Sequence, residues 1–259
     1  FDNCPTAIYA KGGSASVLSN HMSNVEKGIR IDKIKGQNIN ASNNLIVATE
    51  KGILLKNNED AVYVDVNNNT VIINSTLAAG ISVFESVPPS VSRKFKINCN
   101  FVAVDEGIDG ILINSADRIN LTQNNITLNS TVNPANGIRI QGSSNCGLLE
   151  NNVTGNSTTR HIAYGIYVSP ANNFTNNHSD LTEIGFDFGS NCATDEFFSG
   201  NTFGEHDIGL HLNGSGIIGV QTHRGNRWFG PIGILGGAQN ENVDPNEVVF
   251  NPIIVHDSL

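Results

Sequence analysis

Residues 110–140 read GILINSADRINLTQNNITLNSTVNPANGIRI, and they hold one full unit of a repeat that runs through the chain. The unit opens on Gly110 followed by Ile111, Leu112 and Ile113, and it starts again at Gly137 with Ile138, Arg139 and Ile140. Apolar residues that alternate with variable ones at a period of two describe a strand with one buried face. Moving outward, the phrase recurs as GIRI at Gly28, GILL at Gly52, GISV at Gly80, GIYV at Gly165, GFDF at Gly185 and GLHL at Gly209. A degenerate copy, AIYA, begins at Ala7. Successive glycines lie 24, 28, 30, 27, 28, 20 and 24 residues apart. Such a period marks a solenoid, whose repeats bury their apolar faces only by stacking on one another. The text between phrases is too rich in Asn, Ser and Gly to hold two helices per repeat, which excludes helical arrays.

A second landmark follows each glycine by 12 to 20 residues: an Asn with an apolar residue one or two places on. The set is Asn20, Asn44, Asn69, Asn100, Asn125, Asn152, Asn177, Asn201 and Asn226. Amides stacked at one turn can hydrogen-bond from coil to coil, so Asn125 and Asn152 are expected to be buried ladder members. The 38 Asn of the chain, beside 26 Gly, fit frequent tight turns.

This combination of Gly, alternating aliphatics and Asn with an aliphatic resembles the right-handed parallel β-helix repeat family of exported bacterial proteins, the carbohydrate-binding and sugar-hydrolase type of repeat. The resemblance covers Ala7 to Gly230. It implies an all-β, right-handed parallel β-helix (a β-solenoid) of about nine coils. Residues 1–231 would form the solenoid. The phrase rhythm breaks after Pro231, so residues 232–259 would form a C-terminal cap, with Trp228 and Phe229 packed beneath it. A chain that starts at Phe1, with no cap before Ala7, reads as part of a longer parent with further domains.

Net charge of −9 with 15 Lys plus Arg, and no basic cluster, removes the usual drive toward nucleic acid or anionic membrane. No apolar run is long enough for membrane insertion as a helix. Cys4, Cys99, Cys146 and Cys192 form no metal-ligand spacing and read as small buried hydrophobes. The repeat places Cys146 and Cys192 too far apart for a disulfide. The seven His show no zinc pattern and read as surface turn residues, His206 and His211 lying across a turn and His223 near the rod's end. No cofactor or metal is expected. Eleven Asn-X-Ser/Thr triplets occur, at Asn40, Asn68, Asn74, Asn120, Asn125, Asn129, Asn152, Asn156, Asn173, Asn177 and Asn213. Burial in the ladder would block glycosylation at Asn125, Asn152 and Asn177. The closing Asp257-Ser258-Leu259 resembles an O-glycosylation triplet of bacterial surface proteins.

Within each phrase the middle residue points outward. Down the stack these are Tyr9, Arg30, Leu54, Ser82, Leu112, Arg139, Tyr167, Asp187 and His211. The last four form a polar strip for ligand binding: Arg139 for a uronate, Tyr167 for a sugar face, and Asp187 orienting His211 as the candidate catalytic pair. The resemblance puts substrate grooves of polysaccharide-cleaving members on this face, but the paired-Asp, Gly-His-Gly and Asp-Pro-His signatures of those members are absent. The expected protein is therefore a non-catalytic stalk or glycan-contacting module, extracellular or at the cell surface, whose partner is a polysaccharide. A polysaccharide lyase or hydrolase is the alternative.

Overall fold

The alternation builds strands, and the strands build three parallel sheets. A computed structural model describes residues 1–35, 38–58, 61–85, 94–156, 158–169, 172–189 and 197–212. Beyond these it describes the short strands Arg227–Trp228, Ile234–Leu235 and Ile254–Val255. Among the described residues there is no helix, so none that could cross a membrane. Every strand pair is parallel, each strand meeting its counterpart one coil away.

Among the described residues the first sheet has eight strands, from Ala15–Leu18 through Asn38–Ser42, Tyr63–Asn67, Lys94–Asn98, Ile119–Thr122, Gly147–Leu149 and Asn173–Thr175 to Phe197–Ser199. The second contains Thr70–Ile73, Phe101–Val104, Asn125–Leu128, Asn152–Thr154, His178–Asp180 and Thr202–Phe203. The third holds the Gly phrases, in Thr6–Lys11, Ala79–Phe84, Asp109–Asn114, Asn136–Gln141, Ile162–Tyr167, Thr182–Phe188 and His206–Leu212. In two early coils, His21–Asp32 and Leu45–Lys56, one long strand bends through the second and third sheets. Inward residues stack into one aliphatic core: Ile111 and Ile113 lie on Ile138 and Ile140, all fully buried. Toward the later coils the core turns aromatic, Tyr164 stacking on Phe186 with ring centroids 4.2 Å apart.

The corner between the first and second sheets is two residues long in all eight coils. Its first residue has positive φ (Ser19, Asn43, Asn68, Cys99, Gln123, Glu150, Asn176 and Gly200, 53° to 69°). Its second is a ladder Asn. Left-handed backbone is unfavourable for most side chains, and the amide of the following Asn ties it down. Nδ2 of Asn124 donates to Oδ1 of Asn151 (2.9 Å) and to the carbonyl of Ile97 (2.8 Å), while its backbone N–H donates to the same Oδ1. Equivalent bonds join Asn20, Asn44, Asn69, Asn100, Asn124, Asn151, Asn177 and Asn201.

Eight ladder positions enclose seven turns, so the described solenoid has about seven turns rather than nine. The phrase at Ala7 lies in an end strand, and after Leu212 only two-residue strands are described. The ladder also corrects two of its expected members. Asn124 and Asn151 hold the positions given to Asn125 and Asn152, which start the next strands with side chains toward the surface. The amides of these two glycosylation triplets are therefore not buried, although that of Asn177 is. Of the described cysteines, Cys146 is a buried hydrophobe, whereas Cys4 is half-buried and Cys99 occupies an exposed corner. Apart from the strands Ile234–Leu235 and Ile254–Val255, the expected C-terminal cap lies outside the described residues, as do Phe229, Asn213, Asn226, His223, His256, Cys192 and the Trp228 side chain.

Candidate functional site

The outward column of the third sheet is laid down by strand pairing. Tyr9, Arg30, Leu54, Ser82 and Leu112 follow one another, then Arg139, Gly165, Asp187 and His211. Tyr167 is not in this column. Its strand runs two residues out of step with the expected phrase: Ala163 takes the place of the repeat glycine, and Tyr167 pairs with Gln141. The phrase GIYV at Gly165 is a coincidence of spelling. The ring of Tyr167 nevertheless returns to the column, because Gly165 leaves room for it. A Cβ on Gly165 would stand 2.9 Å from Tyr167 Cε2, and one on Gly189 would stand 2.4 Å from Cδ1.

Three of the expected site residues meet there. Tyr167 Oη donates to Asp187 Oδ2 at 2.7 Å, and His211 Nδ1 lies 2.8 Å from Asp187 Oδ1. A carboxylate only accepts, so Nδ1 carries the proton and Nε2 is left as the basic nitrogen. Asp187 is nearly buried, whereas His211 keeps 30% of its side chain exposed. Burial, reinforced by the hydrogen bond to Asp187, raises the Tyr167 hydroxyl far above its ordinary pKa and keeps it a neutral donor.

Arg139 belongs to a second cluster that the sequence reading missed. Its Nη2 reaches Asp109 Oδ2 at 2.8 Å, and Asn136 Nδ2 donates to Asp109 Oδ1 at 3.0 Å. Asp109 is fully buried; burial raises its pKa against the opposing pull of Arg139, Asn136 and Lys51. Burial lowers that of Lys51, which the Asp109 charge partly restores. Lys51, Asp109 and Asn136 share the column immediately before the glycines. The signal was present in the sequence, as polar residues in Lys51-Gly52, Asp109-Gly110 and Asn136-Gly137, but attention to the residues after each Gly passed it by. Around this cluster Arg139 Nε, Asn136 Oδ1 and Ser82 Oγ are buried without hydrogen-bond partners. Leu54, Ser82 and Leu112 are themselves buried, so the middle of the column is not open surface, although Tyr9 at its start is exposed.

The histidines divide in a way the sequence did not show. His206 and His211 lie on one strand, not across a turn, and His206 is buried with both ring nitrogens about 3 Å from Ser179 and Thr182 groups. His161 is buried too, accepting from the Ala135 N–H through Nδ1 and therefore donating to the Ser130 carbonyl through Nε2. Among the described residues no group of three His, Cys, Asp or Glu side chains could hold a metal ion. No family model, curated protein or solved structure matches the chain.

Proposed function

We propose that this protein is a rigid, non-catalytic module of a secreted or cell-surface protein, one that contacts an acidic or neutral polysaccharide through the third sheet. The supporting observation is the pair of preorganised clusters on adjoining coils: Asp109, Asn136 and Arg139, with Lys51 two coils earlier in the same column, then Tyr167, Asp187 and His211. Coils stack about 4.8 Å apart, so the groups recur along the rod as hydroxyls and carboxylates recur along a sugar chain. The backbone beneath them is already fixed, and binding costs little ordering entropy. The exposed part of the Arg139 guanidinium is a donor suited to a uronate oxygen. A glycan array followed by titration of the best binder tests this reading. Tyr167→Ala with Arg139→Ala is expected to weaken binding at least about tenfold; no binding, or binding that ignores both changes, overturns it.

One observation favours a lyase or hydrolase as the second reading. Asp187 fixes the tautomer of His211 and leaves Nε2 basic, the arrangement of an oriented general base. Release of unsaturated or reducing ends from a bound polysaccharide, abolished by His211→Ala, would put this reading first.

A further inference from the structure

A separate groove lies on the first sheet. It encloses about 560 Å³ over the coils from Lys94–Asn98 to Asn173–Thr175. Two outward columns form its floor. One runs Lys96, Asn120, Gly147 and Asn173; the other runs Asn98, Thr122, Leu149 and Thr175. Gly147 interrupts the first column and opens a notch between two amides. Thr175 donates to Asn173 Oδ1 at 2.6 Å, which leaves the Asn173 Nδ2 hydrogens for another acceptor. Asn98 Oδ1 is buried and has no hydrogen-bond donor. Beside these groups Leu149 is 38% exposed.

We infer that this groove is a binding site for a neutral sugar chain lying along the rod axis. The lining offers amides and hydroxyls, which pair with sugar hydroxyls as both donors and acceptors. It includes a single charged side chain, Lys96, and so lacks the cation pair that an acidic chain would meet on the third sheet. Leu149 gives the apolar CH face of a pyranose a surface to lie on. The notch at Gly147 admits one ring where a side chain would stand. The same i, i+2 geometry explains the glycosylation-type triplets at Asn120 and Asn173: Asn and Thr two apart on a strand share a face, as a polar groove requires.

The site does not depend on the third-sheet reading, and one experiment separates them. Side-chain amide signals of Asn98, Asn120 and Asn173 would be followed by NMR during titration of the intact chain with cellohexaose, hexa-N-acetylchitohexaose and hexagalacturonate. A neutral hexasaccharide is expected to shift these signals. Gly147→Val should weaken that binding about tenfold and leave the denaturation midpoint in place, because a Cβ there approaches only the flexible Asn120 Oδ1, at 2.8 Å. Should Gly147→Val fail to fold, Asn120→Ala, which removes an exposed amide, is expected to give the same loss. Tyr167→Ala should leave the three signals and their affinity unchanged. The inference is overturned if neither neutral probe moves them, if the folded groove variant binds like the parent, or if only hexagalacturonate acts.

Discussion

Removing the amide of Asn124 or Asn151 takes away four hydrogen bonds: its Oδ1 accepts from the backbone N–H and Nδ2 of the preceding ladder Asn, and its Nδ2 donates to a backbone carbonyl and to Oδ1 of the next ladder Asn. Asn124→Ala and Asn151→Ala are each expected to cost about 1–3 kcal/mol in urea denaturation. Asn125→Ala and Asn152→Ala, at the surface beside them, are expected to stay within about 0.5 kcal/mol. Equal losses at both pairs would contradict the observed register. The doublets Asn124-Asn125 and Asn151-Asn152 were ambiguous because an apolar residue one or two places on was accepted as the signal. Two places on is the physical rule. The ladder Asn points inward and so does the second residue after it, as Ile126 and Val153 do. Tyr167 teaches the same lesson at the site: its reach across Gly165 depends on an absent side chain, which periodicity alone does not reveal. Gly165→Ala is therefore expected to push the ring off Asp187 and weaken glycan binding about as much as Tyr167→Ala, while the far-UV circular dichroism stays that of the parent.

At the scale of the element, the glycine column explains why the phrase is legible at all. A Cβ on Gly110 would lie 2.5 Å from the Gly137 carbonyl oxygen and 2.6 Å from Ile126 Cγ2, and Gly52 and Gly80 meet the same two obstacles. Backbone of the next coil cannot step aside as a side-chain tip can. Gly110→Ala is expected to destabilise the protein by about 1–3 kcal/mol through overpacking, read as a lower denaturation midpoint. Strand type, sheet direction and the inward residues all followed from this column and the alternation beside it. The coil at Ala163 did not, because Gly165 supplied a decoy. The resulting spacings of 28 and 20 become 26 and 22 when Ala163 is restored between Gly137 and Gly185. Burial of Leu54, Ser82 and Leu112 on an outward column was also hidden, since a strand's own pattern says nothing of what lies over it.

For the whole molecule, two buried histidines couple the fold to pH. Burial is the leading cause that lowers the pKa of both His161 and His206 below 6.5, and protonating His161 Nδ1 would remove the acceptor for the Ala135 N–H. The unfolded chain then takes up more protons below pH 6.5, so this contribution to stability is present above that pH and lost as pH falls. Asp109 acts in the opposite sense, its raised pKa favouring the folded state as pH drops toward 3.8. With two histidines against one carboxyl, the thermal midpoint is expected to be lower at about pH 5 than at about pH 7, and a flat profile would contradict their burial. The two-residue corner between the first and second sheets has a different consequence, for the lengths evolution or an engineer can write into this chain. Strand side chains alternate, so one extra residue at that corner would exchange inside for outside along the next strand. The corner between the second and third sheets tolerates anything from the lone Leu181 to the seven residues 129–135. A single Gly inserted between Gln123 and Asn124 should abolish soluble folding, while the same Gly between Thr131 and the exposed Val132 should pass unnoticed. The molecule is thus a ruler with one edge of fixed graduations and another onto which foreign segments can be hung.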